Sequence, residues 1–163
     1  MGYGGNGDRI HRHDSIRDVV FSAAQSAALA PRKEAPSLIP NSSSCPADIF
    51  LPNWKRGQSA ALDVTVISPL QRETLAGEAI TPGHALQVRE ERKIATHANA
   101  CHDVGLLFVP LVVETLGGWN QEAISTFKAI GRLQGQRLGT PLMKLPTICF
   151  NVPPVLCGGG MHR

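Results

Sequence analysis

Two aspartates stand where aspartate is unexpected. Asp48 lies in Pro46-Ala47-Asp48-Ile49-Phe50, and Asp63 in Leu62-Asp63-Val64-Thr65-Val66. Both stretches read as β-strand. Aspartate is a poor strand former and is costly to bury without a partner. If the two strands form a hairpin, the carboxylates can face one another across it. Close carboxylates repel unless a proton or a cation lies between them. Mg²⁺ suits such a pair, because it takes carboxylate oxygens and keeps several waters for phosphate chemistry.

Phosphate chemistry also wants a cation near the attacking water or the phosphate. Lys93 is the candidate, on a predicted helix that follows the second aspartate strand, with His97 one turn on and Glu90 on the same side. The ordinary alternative for Lys93 is a solvated residue paired with Glu90. Arg89 and Arg92 are placed to contact a phosphate backbone. Arg12 and His13, in His11-Arg12-His13, offer a second basic contact or simply a polar segment. Lys55 and Arg56 follow Trp54, which reads as a packing residue although it can stack on an exposed base. Glu114 ends an apolar stretch and is read as capping a sheet edge.

The elements that must position these residues follow from periodicity. Residues 1–13 read as a flexible, Gly-rich lead-in. Ser15 and Asp18 fit a capping box, and Ile16, Val19, Val20, Ala23 and Ala27 recur at helical spacing up to Pro31. The next stretch is rich in turns, with room for a short strand at 37–39. Residues 47–51 read as a strand, 54–57 as a hairpin loop and 60–67 as a strand. In that last strand Leu62, Val64 and Val66 share one face, and Ala61, Asp63 and Thr65 the other.

Residues 68–83 read as a loop, 84–104 as a helix stopped by Gly105, and 106–114 as an apolar strand buried on both faces. Asn120 caps a last helix to about residue 136, with Ile124, Phe127 and Ile130 inward. This order predicts an α/β domain over residues 14–137, a small mixed β-sheet flanked by helices. From residue 138 onward prolines and Gly158-Gly159-Gly160 predict a disordered tail.

Composition excludes little. The chain has 163 residues and a formal net charge of +3, which permits a nucleic-acid partner without demanding one. Cys45, Cys101, Cys149 and Cys157 contain no C-x-x-C pair, and the six histidines form no recognised zinc spacing. They read as reduced thiols, with Cys101 packed on a helix. No apolar run is long enough to span a bilayer, and the N-terminus has no signal pattern. A nuclear or cytoplasmic protein is the expectation.

Taken in order, Gly7-Asp8-Arg9-Ile10-His11-Arg12-His13-Asp14, Pro46-Ala47-Asp48, Asp63-Val64-Thr65-Val66 and Lys93 with His97 resemble a known family. It is the restriction-enzyme-like endonuclease domain at the end of certain non-LTR retrotransposon polyproteins, which are linked to reverse transcriptase. The wider superfamily is the PD-(D/E)XK nucleases. The resemblance covers roughly residues 5–137. It implies a restriction-endonuclease-like core, Mg²⁺ held by Asp48 and Asp63, Lys93 as a catalytic lysine displaced from strand to helix, and DNA as partner. His13-Asp14 would match an Arg-His-Asn-type motif.

The departures are specific. Ala47 interrupts the PD dipeptide, and Thr65 stands where the D-x-K lysine belongs. No zinc knuckle precedes the domain, and the tail reads as unrelated sequence, as in a truncated reading frame. Two functions follow as expectations: a Mg²⁺-dependent DNA endonuclease, or a catalytically inactive nuclease-fold remnant with weak nucleic-acid binding or a structural role.

Overall fold

The structure, a computed structural model, describes residues 6–36, 38–40 and 47–139. The elements run α1 (Asn6–Ser26), β1 (Arg32–Lys33), β2 (Ile49–Lys55), β3 (Gln58–Ile67), α2 (Leu75–Ile80), α3 (His84–Asp103), β4 (Leu106–Glu114) and α4 (Gln121–Leu138). The strands form one mixed sheet in the order β1-β2-β3-β4. The β1–β2 and β2–β3 pairs are antiparallel, and β3–β4 is parallel. The chain is thus mixed α/β, a four-stranded mixed sheet flanked by helices, as its patterning predicts.

The alternation along β3 divides the core. Leu62 and Val64 point into the larger cluster, with Ile16, Val20 and Ala24 of α1, Val109 and Leu111 of β4, and Ala123 and Ile130 of α4. Ala61 and Ile67 point the other way, into clusters that include Cys101 and Leu86 of α3. Each large aliphatic chain removed from water here contributes about 1.5–3 kcal/mol. β4 has interior residues on both faces, which explains its unbroken apolar reading.

Several elements differ from expectation, each for a local reason. The helix begins at Asn6, not near residue 14, so residues 6–13 of the expected lead-in are helical. Ser15 is no cap: its hydroxyl donates to the His11 carbonyl at 2.8 Å, the back-bond of a mid-helix serine. Val19 is exposed, and Ala24 is buried on the core stripe.

The helix stops at Ser26. Ala28 takes a left-handed φ of 59°, and the Leu29 amide returns to the Ala24 carbonyl at 3.0 Å. The edge strand is Arg32–Lys33, not 37–39, of which Ser37 lies outside the described residues. β2 continues past Pro52 to Lys55, because the register shift between Leu51 and Lys55 accommodates a residue that cannot donate to the ladder. The turn is therefore only Arg56-Gly57, both at positive φ (52° and 81°), as a tight hairpin demands.

Residues 68–83 are not all loop, since they contain α2, whose Glu78 carboxylate accepts the amides of Gly83 (2.7 Å) and Ala85 (2.8 Å). That carboxylate serves the start of α3 and is held below the usual range by those backbone bonds. At the other end of α3, Gly105 has φ 74°. Helix α4 runs to Leu138, where the disordered tail was expected to begin; residues 1–5 of the expected lead-in and 140–163 of the expected tail lie outside the described residues.

Candidate functional site: a carboxylate cleft at a strand fork

Asp48 is placed by the way the sheet opens. β2 follows β3 only as far as the Ile49–Leu62 rung, whereas β3 continues along β4 to Ile67. Beyond Leu62 the β2-side edge of β3 carries no strand among the described residues. Asp48 sits at this fork. Its amide donates to the Leu62 carbonyl at 2.9 Å, and its carbonyl accepts the Glu34 amide at 3.0 Å. Its side chain supplies the next rung, with Oδ2 accepting the Val64 amide at 2.7 Å. An aspartate at a strand start is thus used as a ladder acceptor, while Oδ1 accepts no hydrogen bond among the described residues.

Asp63 lies two pleats inside β3, on the face that looks at α3. Lys93 reaches it from that helix, with Nζ 3.1 Å from Oδ1 and 3.0 Å from Oδ2. Thr65 Oγ1, on the same face, donates to Oδ2 at 3.2 Å. Burial pushes the Asp63 carboxyl above its ordinary pKa. Lys93 opposes that shift, and the charge of Asp48 adds to it. The pair has therefore been placed where ionising Asp63 costs more than Lys93 returns.

His13 approaches from α1. Its Nε2 is 3.2 Å from Asp48 Oδ2, and its Nδ1 is 3.2 Å from Asp14 Oδ1. With a carboxylate at each ring nitrogen, both nitrogens donate in the imidazolium. The hydrogen bond to Asp48 is the main cause of a pKa pushed up to about 9. Burial works against it, and Asp14 supports it. Each cleft carboxylate thus has one cationic neighbour from a different helix.

These groups line one cleft of about 340 Å³, between α1, the free edge of β3 and α3, with Arg9, Val66 and Arg89 at its margin. A second recess of about 170 Å³ shares Arg9, Val66 and Arg89 and continues to Glu73 and Arg92.

The expected catalytic set, Asp48, Asp63 and Lys93, is brought together in this cleft. Of the expected nucleic-acid contacts, His13 and Arg89 line it too, and Arg92 lines the neighbouring recess. Lys55 and Arg56 do not. They stand at the β2–β3 turn, at the far end of β3, where the Lys55 ammonium lies 5.4 Å from the Trp54 ring and Trp54 itself is core. Arg12 lines neither cavity. Its neighbour in sequence, His13, faces the cleft instead, because only every third or fourth residue of a helix shares a face.

His97 packs its ring 5.4 Å from that of Phe108, away from the carboxylates. Glu90 accepts the Asn120 side-chain amide at 2.9 Å and is not Lys93's partner. Glu114 lies off the cleft, and burial pushes its carboxyl up. The sequence reading missed Arg9 as a lining residue and the direct bond from His13 to Asp48. The four-residue spacing of Arg9 and His13 was the available signal for a shared face.

Among the described residues no group of three or more His, Cys, Asp or Glu side chains gathers as a metal-holding cluster. Two carboxylates are nonetheless a donor set that Mg²⁺ accepts, because it fills the rest of its shell with water and substrate phosphate. Asp48 Oδ1, which accepts no hydrogen bond among the described residues, is a donor such an ion can use. No helix among the described residues is long and apolar enough to cross a membrane. No protein family model, curated protein or solved structure matches the chain.

Proposed function

We propose that the chain is a retroelement-derived, Mg²⁺-dependent DNA endonuclease-like domain with a restriction-endonuclease-like core. One observation carries the reading: Asp48, Asp63 and Lys93, far apart in sequence, line a single cleft at the end of a strand pair. The element order supports it as well. Helix α1, three strands paired antiparallel, helices α2 and α3, a fourth strand parallel to the third and helix α4 make the mixed sheet flanked by helices on which the proposed core rests.

Asp48 and Asp63 would hold the ion, which supplies Lewis-acid stabilisation of a phosphoryl oxygen and a more acidic water. The protein's own groups do the rest. Lys93, fixed by Asp63, holds a positive charge at the cleft where negative charge grows on the phosphate. Thr65 and the Val64 amide fix the two carboxylates in orientation. His13 donates to Asp48 Oδ2, the same oxygen that accepts the Val64 amide, and closes the α1 side. Thr65 occupies the place of the strand lysine, and Lys93 reaches the same carboxylate from the helix, so the displacement leaves a cation in position.

The test is nicking of supercoiled plasmid with Mg²⁺. Wild type should nick, and Asp63→Ala should lose at least a hundredfold in rate. Equal activity in the two, or none in wild type, refutes the reading. A second reading, an inactive remnant that binds nucleic acid weakly, is favoured by one feature: His13 and Lys93 already neutralise both carboxylates. Binding without cleavage decides for it.

A further inference from the structure

We propose that the recess beside the carboxylate cleft is a second phosphate site, organised by Arg89, which seats the phosphate adjoining the one at Asp63 and Lys93. The inference rests on the nucleic-acid reading above, but not on cleavage.

Arg89 belongs to both cavities, so it stands at their junction. Its Nε is shielded from water and donates to no acceptor among the described residues. A shielded donor left unpaired costs about 1–3 kcal/mol, so a turn of the side chain that brings it to an anion at the junction would remove that cost. Two more guanidinium groups line the recess. Arg9 faces the junction from α1, and Arg92 lines the outer recess.

Among the described residues the one carboxylate lining this recess, Glu73, holds Arg92 only at 3.6 Å. Both side chains are mostly exposed, at 61% and 73%, so a phosphate can take its place. Arg89 and Lys93 are four residues apart on one face of α3, about 6 Å along its axis. That separation suits one cation per phosphate on successive nucleotides of a strand. The guanidinium also presents a fork of donors that matches phosphate oxygens.

The experiment is fluorescence anisotropy with a short labelled DNA duplex in EDTA, at several salt concentrations. Arg89→Gln should weaken binding about tenfold and reduce the slope of log K against log salt by about 1. Arg89→Lys should keep most of that slope. Glu73→Gln, an exposed change that leaves the fold intact, should tighten binding. An unchanged slope in Arg89→Gln, no tightening in Glu73→Gln, or no binding by wild type overturns the proposal. Nicking by wild type with an unaltered Arg89→Gln slope overturns the second site alone. A slope that depends on Arg89 without any nicking overturns only the nuclease reading.

Discussion

Replacing Asp63 with asparagine should stabilise the protein at neutral pH, although it removes one member of an ion pair. Asp63 is 11% exposed and its partner Lys93 is 24% exposed. Burial raises the Asp63 pKa above 3.8 even against the pull of Lys93. The folded state therefore binds this proton more tightly than the unfolded state does. The stability from the protonated form is complete below the unfolded pKa and is lost as pH rises through the folded one.

At pH 7 asparagine avoids that loss and keeps the shape. We expect a gain of about 1 kcal/mol, or roughly 2–4 °C in Tm. The gain should shrink as pH falls through the raised folded pKa and vanish only below 3.8, where aspartate is protonated in both states. Lys93→Met should do the opposite. Breaking a buried pair from the cationic side costs about 3–5 kcal/mol, and the partial exposure of Lys93 reduces this to about 2–3 kcal/mol. The double variant should return close to wild type. Thermal and urea unfolding of the four proteins between pH 4 and pH 7 supplies the cycle. If Asp63→Asn is destabilised by more than 1 kcal/mol at pH 7, or gains equally at all pH values, the reasoning fails.

Two further outcomes follow from side-chain bonds. The Asn120 side chain accepts the Val112 and Ala123 amides and donates to Glu90 and the Pro110 carbonyl. Asn120→Ala should therefore cost more than an ordinary cap, about 2–3 kcal/mol in urea unfolding; a loss under 1 kcal/mol would show that the bridge between β4 and α4 contributes little. His13 has its pKa raised from 6.5 to about 9, so its contribution is complete below 6.5 and lost as pH rises through about 9. His13→Gln should flatten the stability profile across that window, and an unchanged alkaline limb would separate His13 from Asp48.

The strand carboxylates were legible in the sequence because aspartate inside an apolar run is a conflict between local propensity and burial. Lys93 offsets that conflict only in part at Asp63, and the alternation that put Thr65 beside it also held. Lys93 was legible from its place on the helix after β3, and Asn120 from its position before a periodic stretch. The length of α1 was hidden, because its first two turns are polar and read as a lead-in. Their helical state is tied to tertiary contact, with His13 meeting Asp48 across a large sequence separation. The fork in the sheet was hidden too. Nothing local in residues 64–67 announces that one edge loses its partner, since that depends on where β2 begins. Lys55 and Arg56 misled for a similar reason: a basic turn looks the same whether it stands near the cleft or at the opposite end of the strand.

Binding of Mn²⁺, measured by isothermal titration against wild type and the Asp48→Asn, Asp63→Asn and Arg89→Gln variants, tests most directly whether the fork is a metal site. Wild type should bind Mn²⁺, each aspartate variant should lose that binding, and Arg89→Gln should keep it. Absence of binding at millimolar Mn²⁺, or binding that survives both aspartate changes, would contradict a metal site at the fork.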